Sequence, residues 1–171
     1  MQFITKHIFC KNKLIDSLEE VREVYSAIKS VRWFPDKGAA KYKTGKDVAW
    51  QEAYNRLFEI TFEKIGGWQT STALFQKPMH KGEFLKNVVF VEVQFGNSSK
   101  VYGDYYKFNY GFANKLLTLV VLIVPVDPVK FFPNLKPKSI INMASFHDAL
   151  EHMSSLTIQV PVLLIGLLPK N

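Results

Sequence analysis

Residues 83–100 read EFLKNVVFVEVQFGNSSK, and the run from Val88 to Phe95 inside that stretch decides the fold. It is built of β-branched and aromatic residues, so it reads as a buried strand in which side chains two apart share a face. Val88, Phe90, Glu92 and Gln94 fall on one face, and Val89, Val91, Val93 and Phe95 on the other. The second face is wholly apolar and suits packing against a helix. The first turns from apolar to polar halfway along, as in a strand that runs out of the core into a cleft.

An ionised carboxylate on a core strand is costly unless it is paired or binds a metal, so Glu92 needs a partner. Glu83 follows the turn-prone Met79-His80-Lys81-Gly82. Enough chain separates it from Glu92 for an antiparallel or bent return that brings the two carboxylates together. Two carboxylates and a neutral amide, Gln94, at a strand end supply oxygen ligands of the kind Mg²⁺ accepts. The other reading of the same residues pairs Glu92 with a lysine and leaves Gln94 to cap a loop.

Composition narrows the function class. The 171 residues predict one domain, 1–171, with a substantial core, and 47% hydrophobic with 14% aromatic residues exclude a disordered chain. Lysine and arginine number 22 against 15 acidic residues, a formal net charge of +7. That balance suits a polyanionic partner, since cations that neutralise phosphates release counterions, and it equally suits plain solubility. Cys10 is the single cysteine, which excludes an intrachain disulfide and a cysteine-based zinc cluster and fits a reducing, cytoplasmic setting. The N-terminal MQFITKHIFCKNK has no signal-peptide core. The longest apolar runs, Leu116–Val126 and Val160–Leu168, fall short of the ~20 residues a membrane helix needs and read as core strands. P-loop, dinucleotide, serine-hydrolase and cysteine-hydrolase motifs are missing.

Residues 1–10 alternate loosely and predict an edge strand. Ser17 and Glu20 match a capping box for a helix ending near Ser30, and Asp47 caps a second helix reaching Ile65. Glu59 or Glu63 on that helix is either a lender to the metal site or a surface carboxylate. Trp68 to Phe75 reads as a strand, Val101 to Asn114 as a helix whose aromatics mostly pack, and Ala144 to Met153 as a short helix with structural His147 and His152. Asp104 reads as a helix-start carboxylate. These elements predict an α/β architecture, a mixed central sheet flanked by helices.

Two basic segments suit phosphate contacts: residues 31–46, with Lys41 and Lys43, and the loop with Lys130, Lys136 and Lys138. Asn97, Ser98, Ser99 and Lys100 form a polar loop just beyond the carboxylates. Asn97 there is either a base contact or ordinary turn chemistry.

EFLKN followed by VEVQFGN, with the later ASFHDALEHMSS and VPVLLIGLLP, resembles the BglII family of type II restriction endonucleases, a branch of the PD-(D/E)XK nuclease superfamily. The likeness runs from about Trp68 to Leu168 in the same order, and Glu-x-Gln in place of the usual Glu-x-Lys marks that branch. The resemblance implies a restriction-endonuclease-like fold, cleavage of double-stranded DNA, a homodimer, and catalysis by Glu83, Glu92 and Gln94. Mg²⁺ is then expected on Glu83, Glu92 and the Val93 carbonyl, and Asp104 resembles a family position that follows the catalytic strand, although a structural helix-start carboxylate explains it better. Glu83 stands where the family has Asp, which keeps the charge and adds one methylene. Two further readings therefore remain: a catalytically impaired DNA-binding protein of the same fold, and a basic interaction domain with Glu92 salt-bridged in its core.

Overall fold

The three apolar runs of the sequence pair with one another. In the computed structural model, which describes residues 1–34, 50–70, 82–135, 140–157 and 160–169, β3 (Val89–Val93), β4 (Leu119–Pro125) and β5 (Val162–Leu168) lie side by side in parallel. Strands so placed are covered on both faces, which is why they read as continuous apolar runs. β1 (Gln2–Ile8) adds to β5 and β2 (Glu83–Lys86) to β3, both antiparallel, giving the order β1-β5-β4-β3-β2. The expected mixed sheet and edge strand are therefore present.

Alternation divides the strands between two cores. Val89, Val91, Val93, Val121, Ile123, Leu163 and Ile165 face one cluster. Short α1 (Asn12–Asp16) leads into α2 (Glu19–Ser30), and α2 and α3 (Trp50–Ile65) cover that cluster through Val24, Ile28, Tyr54 and Phe58. The opposite face carries Phe90, Val120, Leu122, Val124, Val162 and Leu164. Here α4 (Lys100–Ala113) and, after capped α5 (Pro128–Phe131), α6 (Phe146–Ser155) contribute Val101, Phe108, Ala149 and Met153. Gly166 allows α6 close to β5, since a Cβ there would meet the Phe146 ring at 2.6 Å. Glu92 alternates with Val91 and Val93, so it points to the α4 side.

Several local expectations are corrected. Ser17 does not cap α2. Its hydroxyl donates back to the Leu14 carbonyl (2.7 Å), and the N-cap position falls to Leu18 with no side-chain bond, because Ser17 closes α1 with a right-handed helical backbone (φ −83°, ψ −14°), whereas an N-cap residue is extended. Of the strand expected over Trp68 to Phe75, Gln69 bridges Leu85, while Trp68 is buried and donates to Glu23 (2.8 Å). Residues 71–81 lie outside the described residues, as do Lys41, Lys43, Asp47, Lys136 and Lys138. Tyr106 and Tyr110 of α4 do not pack as expected: they are 75% and 53% exposed, with Tyr102 at 46% one turn earlier. Among the described residues, no helix is long and apolar enough to cross a membrane.

Candidate active site

Glu83 lies opposite Glu92 in the register of the β2–β3 pair. The return between them is tighter than the sequence reading places it. Lys86 pairs with Val89, so the turn is Asn87-Val88, with Asn87 in the left-handed region (φ 53°) and Val88 exposed in the turn rather than in the strand. Both carboxylates are nearly inaccessible, 3% and 6% exposed. They stand in an open cleft of ≈ 790 Å³, also lined by Gln51, Asn55, Gln94, Gly96, Ser99 and Lys100.

Because Glu92 points toward α4, the inward residues of that helix meet it. Lys107 donates to Glu83 Oε1 (2.7 Å) and Glu92 Oε2 (2.5 Å), and its Nζ is 3.2 Å from Asp104 Oδ1. The same ammonium lies 5.6 Å from the Phe90 ring centroid, within cation–π range. Asp104 is buried and accepts from Gln94 Nε2 (3.0 Å), so it is part of the site rather than only a helix-start carboxylate. Gln94 Oε1 in turn accepts from the Gly96 amide (2.8 Å). Its amide is thus fixed at both ends, with one N–H and one lone pair left over.

Burial, together with the negative charges of Asp104 and Glu83, raises the Glu92 carboxyl to about 8 against the lowering pull of the Lys107 ammonium. For Lys107 burial lowers the pKa, but the carboxylates of Glu92, Asp104 and Glu83 outweigh it and hold the ammonium well above its ordinary range. The lysine partner of the second sequence reading therefore exists.

The backbone completes the cleft. Val93 N donates to the Gly82 carbonyl (2.8 Å), and Gly82 has φ +96°. A Cβ at Gly82 would stand 2.9 Å from the Val93 carbonyl oxygen, so glycine keeps that oxygen uncovered. Beyond it, Ser98 N bonds the Asn142 carbonyl (2.7 Å) and Ala144 N the Gly96 carbonyl (2.9 Å), which pins the polar loop to the segment before α6. Asn97 Oδ1 accepts from Ser99 N (2.9 Å), the turn chemistry of the alternative reading, while Asn97, Ser99 and Lys100 remain exposed.

The donor set suits a hard divalent cation. Two facing carboxylates, a backbone carbonyl and an amide oxygen are all oxygen donors, and Mg²⁺ takes one or two carboxylates with water filling the rest. A cationic ammonium already bridges Glu83 and Glu92. Among the described residues no group of three or more His, Cys, Asp or Glu side chains is arranged as a metal shell. From α3 the cleft receives Gln51 and Asn55 rather than an acid: Glu59 pairs with Arg56 (2.6 Å) and Glu63 is exposed. Lys107 was not legible as a site residue. Its one signal is the i, i+3 spacing from Asp104, which only helps once Asp104 is known to face inward.

A sequence search of curated proteins gives no match. Among solved structures, a crystal structure of the restriction endonuclease BglII complexed with a DNA 16-mer superposes with a TM-score of 0.76 at 13% identity, covering 99% of this chain and 78% of that one. A structure of free BglII gives 0.69 at 14% identity, covering 99% and 81%. At such identities these matches speak for the fold. The family model described as restriction endonuclease BglII/BglIII matches residues 6–167, nearly the whole chain. The hairpin carboxylates, the Glu-x-Gln strand and the polar loop all fall within that match, and the chain belongs to the BglII/BglIII family of restriction endonucleases.

Proposed function

We propose that this chain is a single-domain, Mg²⁺-dependent type II endonuclease that hydrolyses phosphodiester bonds of double-stranded DNA at a short specific sequence. The observation that carries the reading is the register of Glu83 against Glu92 in the lining of a cleft that the polar loop borders through Ser99 and Lys100. Family membership supports site-specific DNA cleavage, and the BglII relative in complex with DNA supports a duplex as the partner.

Glu83, Glu92 and the Val93 carbonyl would hold Mg²⁺, which when bound acidifies a water and offsets negative charge on the phosphate. Gln94 is an amide and cannot take a proton near neutral pH, so its role is to orient the attacking water through its remaining hydrogen-bonding capacity. Asp104 and the Gly96 amide fix that orientation. The water's proton leaves to a neighbouring phosphate or to solvent. Asn97, Ser98, Ser99 and Lys100 contact DNA at the cleft mouth, with Lys41 and Lys43 adding phosphate contacts. One cleft serves one strand, so cutting both strands of a symmetric site calls for a two-fold homodimer. The cytoplasm, where DNA to be restricted arrives, is the setting this activity requires.

The test is incubation of the purified protein with long unmethylated DNA, in Mg²⁺ and separately in EDTA. Discrete Mg²⁺-dependent fragments are expected. A second reading, a DNA-binding protein without catalysis, is favoured by the Lys107 ammonium lodged between the two carboxylates. Intact DNA that still shifts in a gel would select it, and Glu83→Asp would then show whether the extra methylene is the lesion.

A further inference from the structure

We propose that Lys107 is a positioning residue whose ammonium stands in for the divalent cation, holding Glu83, Glu92 and Asp104 converged until the metal displaces it. The inference rests on the metal-dependent reading above and concerns how the metal comes to occupy the site.

Three buried carboxylates on β2, β3 and α4 come together in one cleft, and without a cation their repulsion would push the hairpin and the helix apart. Lys107 reaches all three, at 2.7, 2.5 and 3.2 Å. Its bonds go to Glu83 Oε1 and Glu92 Oε2, oxygens that a metal shared by the two residues would draw on. An ammonium and a divalent ion cannot occupy the same place between those oxygens, so binding of one opposes binding of the other. The lysine is built to leave. It has a flexible four-carbon stem and it lines an open cleft into which that stem can swing. A site of this design keeps its geometry without metal, at the cost of a weaker metal affinity.

The experiment compares wild type with Lys107→Met, which retains much of the apolar stem, using Mn²⁺ alone without DNA. Calorimetric titration is expected to give tighter Mn²⁺ binding by the variant, by about tenfold, because its competitor is gone. The variant's melting temperature should be lower than wild type in EDTA and recover more on adding Mn²⁺. A purely structural lysine predicts equal or weaker Mn²⁺ binding in the variant, and that result would overturn the proposal. Should the variant not fold without metal, the wild type supplies the reading. Reductive methylation mapped by mass spectrometry should find the Lys107 amine protected in EDTA and reactive in saturating Mn²⁺; protection in both would equally overturn it. If neither protein binds Mn²⁺, the metal-dependent function fails and this inference with it, whereas binding at unchanged affinity leaves that function standing and removes only the role of Lys107.

Discussion

Glu83 and Glu92 are register partners across the β2–β3 hairpin, and the same Lys107 ammonium is hydrogen-bonded to both. The pairing follows from the Asn87-Val88 turn, because a two-residue connection fixes which residues of the two strands stand opposite each other. Lengthening or shortening that turn by one residue would turn Glu83 to the other face of the sheet. The carboxylate pair is therefore a property of backbone geometry, and substitution at either position changes the chemistry of the cleft without dismantling the hairpin. Glu92→Gln is expected to reduce Mg²⁺-dependent cleavage by about 100-fold or more while leaving a cooperative unfolding transition.

The Glu92 carboxyl also sets a pH dependence. A carboxyl whose pKa is higher in the folded chain than in the unfolded one binds more protons when folded, so its contribution favours folding at low pH and is lost as pH rises. For Glu92 the window runs from the ordinary value of 4.5 to about 8. In EDTA the wild type is expected to lose stability as pH rises through that window, and Glu92→Gln, which removes the titrating group, should flatten the slope. Urea unfolding at about pH 6 and about pH 8.5 measures the difference. Parallel slopes for the two proteins would show that another group carries the linkage.

Gly82 gives a separate test of the backbone wall of the cleft. Its φ of +96° is strained for any other residue, and a new Cβ would meet the Val93 carbonyl oxygen at 2.9 Å. Gly82→Ala is expected to destabilise the fold by about 1–3 kcal/mol and to weaken Mn²⁺ binding, because the carbonyl expected to serve as a ligand is displaced. A variant with reduced stability but wild-type Mn²⁺ affinity would remove the Val93 carbonyl from the ligand set.

The strand elements and the two carboxylates were legible because they rest on alternation, a short-range property. Glu92 and Gln94 stand out as polar residues on an apolar strand, and the chain between Glu83 and Glu92 permits an antiparallel return. What could not be read was most of the cleft content contributed by helices, Lys100 at the start of α4 excepted. Lys107 looks like an ordinary residue of an aromatic helix, and Asp104 like a helix-start carboxylate at a position resembling the family's, until the β3–α4–β4 crossover lays that helix over the Glu92 face of the sheet. Gln51 and Asn55 are hidden in the same way, as neutral amides on a helix whose acids drew attention instead. The exposed tyrosines of α4 were misread for the opposite reason, since an aromatic residue is assigned to the core by default.

Lys100 begins α4 at the cleft mouth and is exposed. A lysine there neutralises a phosphate without reading a base, so Lys100→Ala should weaken binding to all duplexes alike and lower the slope of log affinity against log salt by about 1. Fluorescence anisotropy in Ca²⁺ across a salt series gives that slope. Loss of discrimination between duplexes at constant slope would make Lys100 a base contact instead.

The dimer expectation can be tested on α4 itself. Tyr102, Tyr106 and Tyr110 are spaced four apart, so they line one face of the helix, and all three are exposed while Asp104, Lys107 and Phe108 point toward the sheet and the cleft. Tyrosines offer large, rigid contact area with a polar tip, which suits a surface that is buried only on association. If this stripe forms a two-fold interface, each copy presents the same three residues and Tyr106, at the centre of the stripe, is expected near the axis. Tyr106→Arg would set two like charges beside each other there, and it is expected to convert a wild-type dimer to monomer in sedimentation velocity at micromolar protein. The cleft lies on another face of the helix, so Mn²⁺ binding should be unaffected while double-strand breaks give way to nicks. A wild type that sediments as a monomer at the same concentration would count against the homodimer, and a variant that remains dimeric would move the interface away from this stripe.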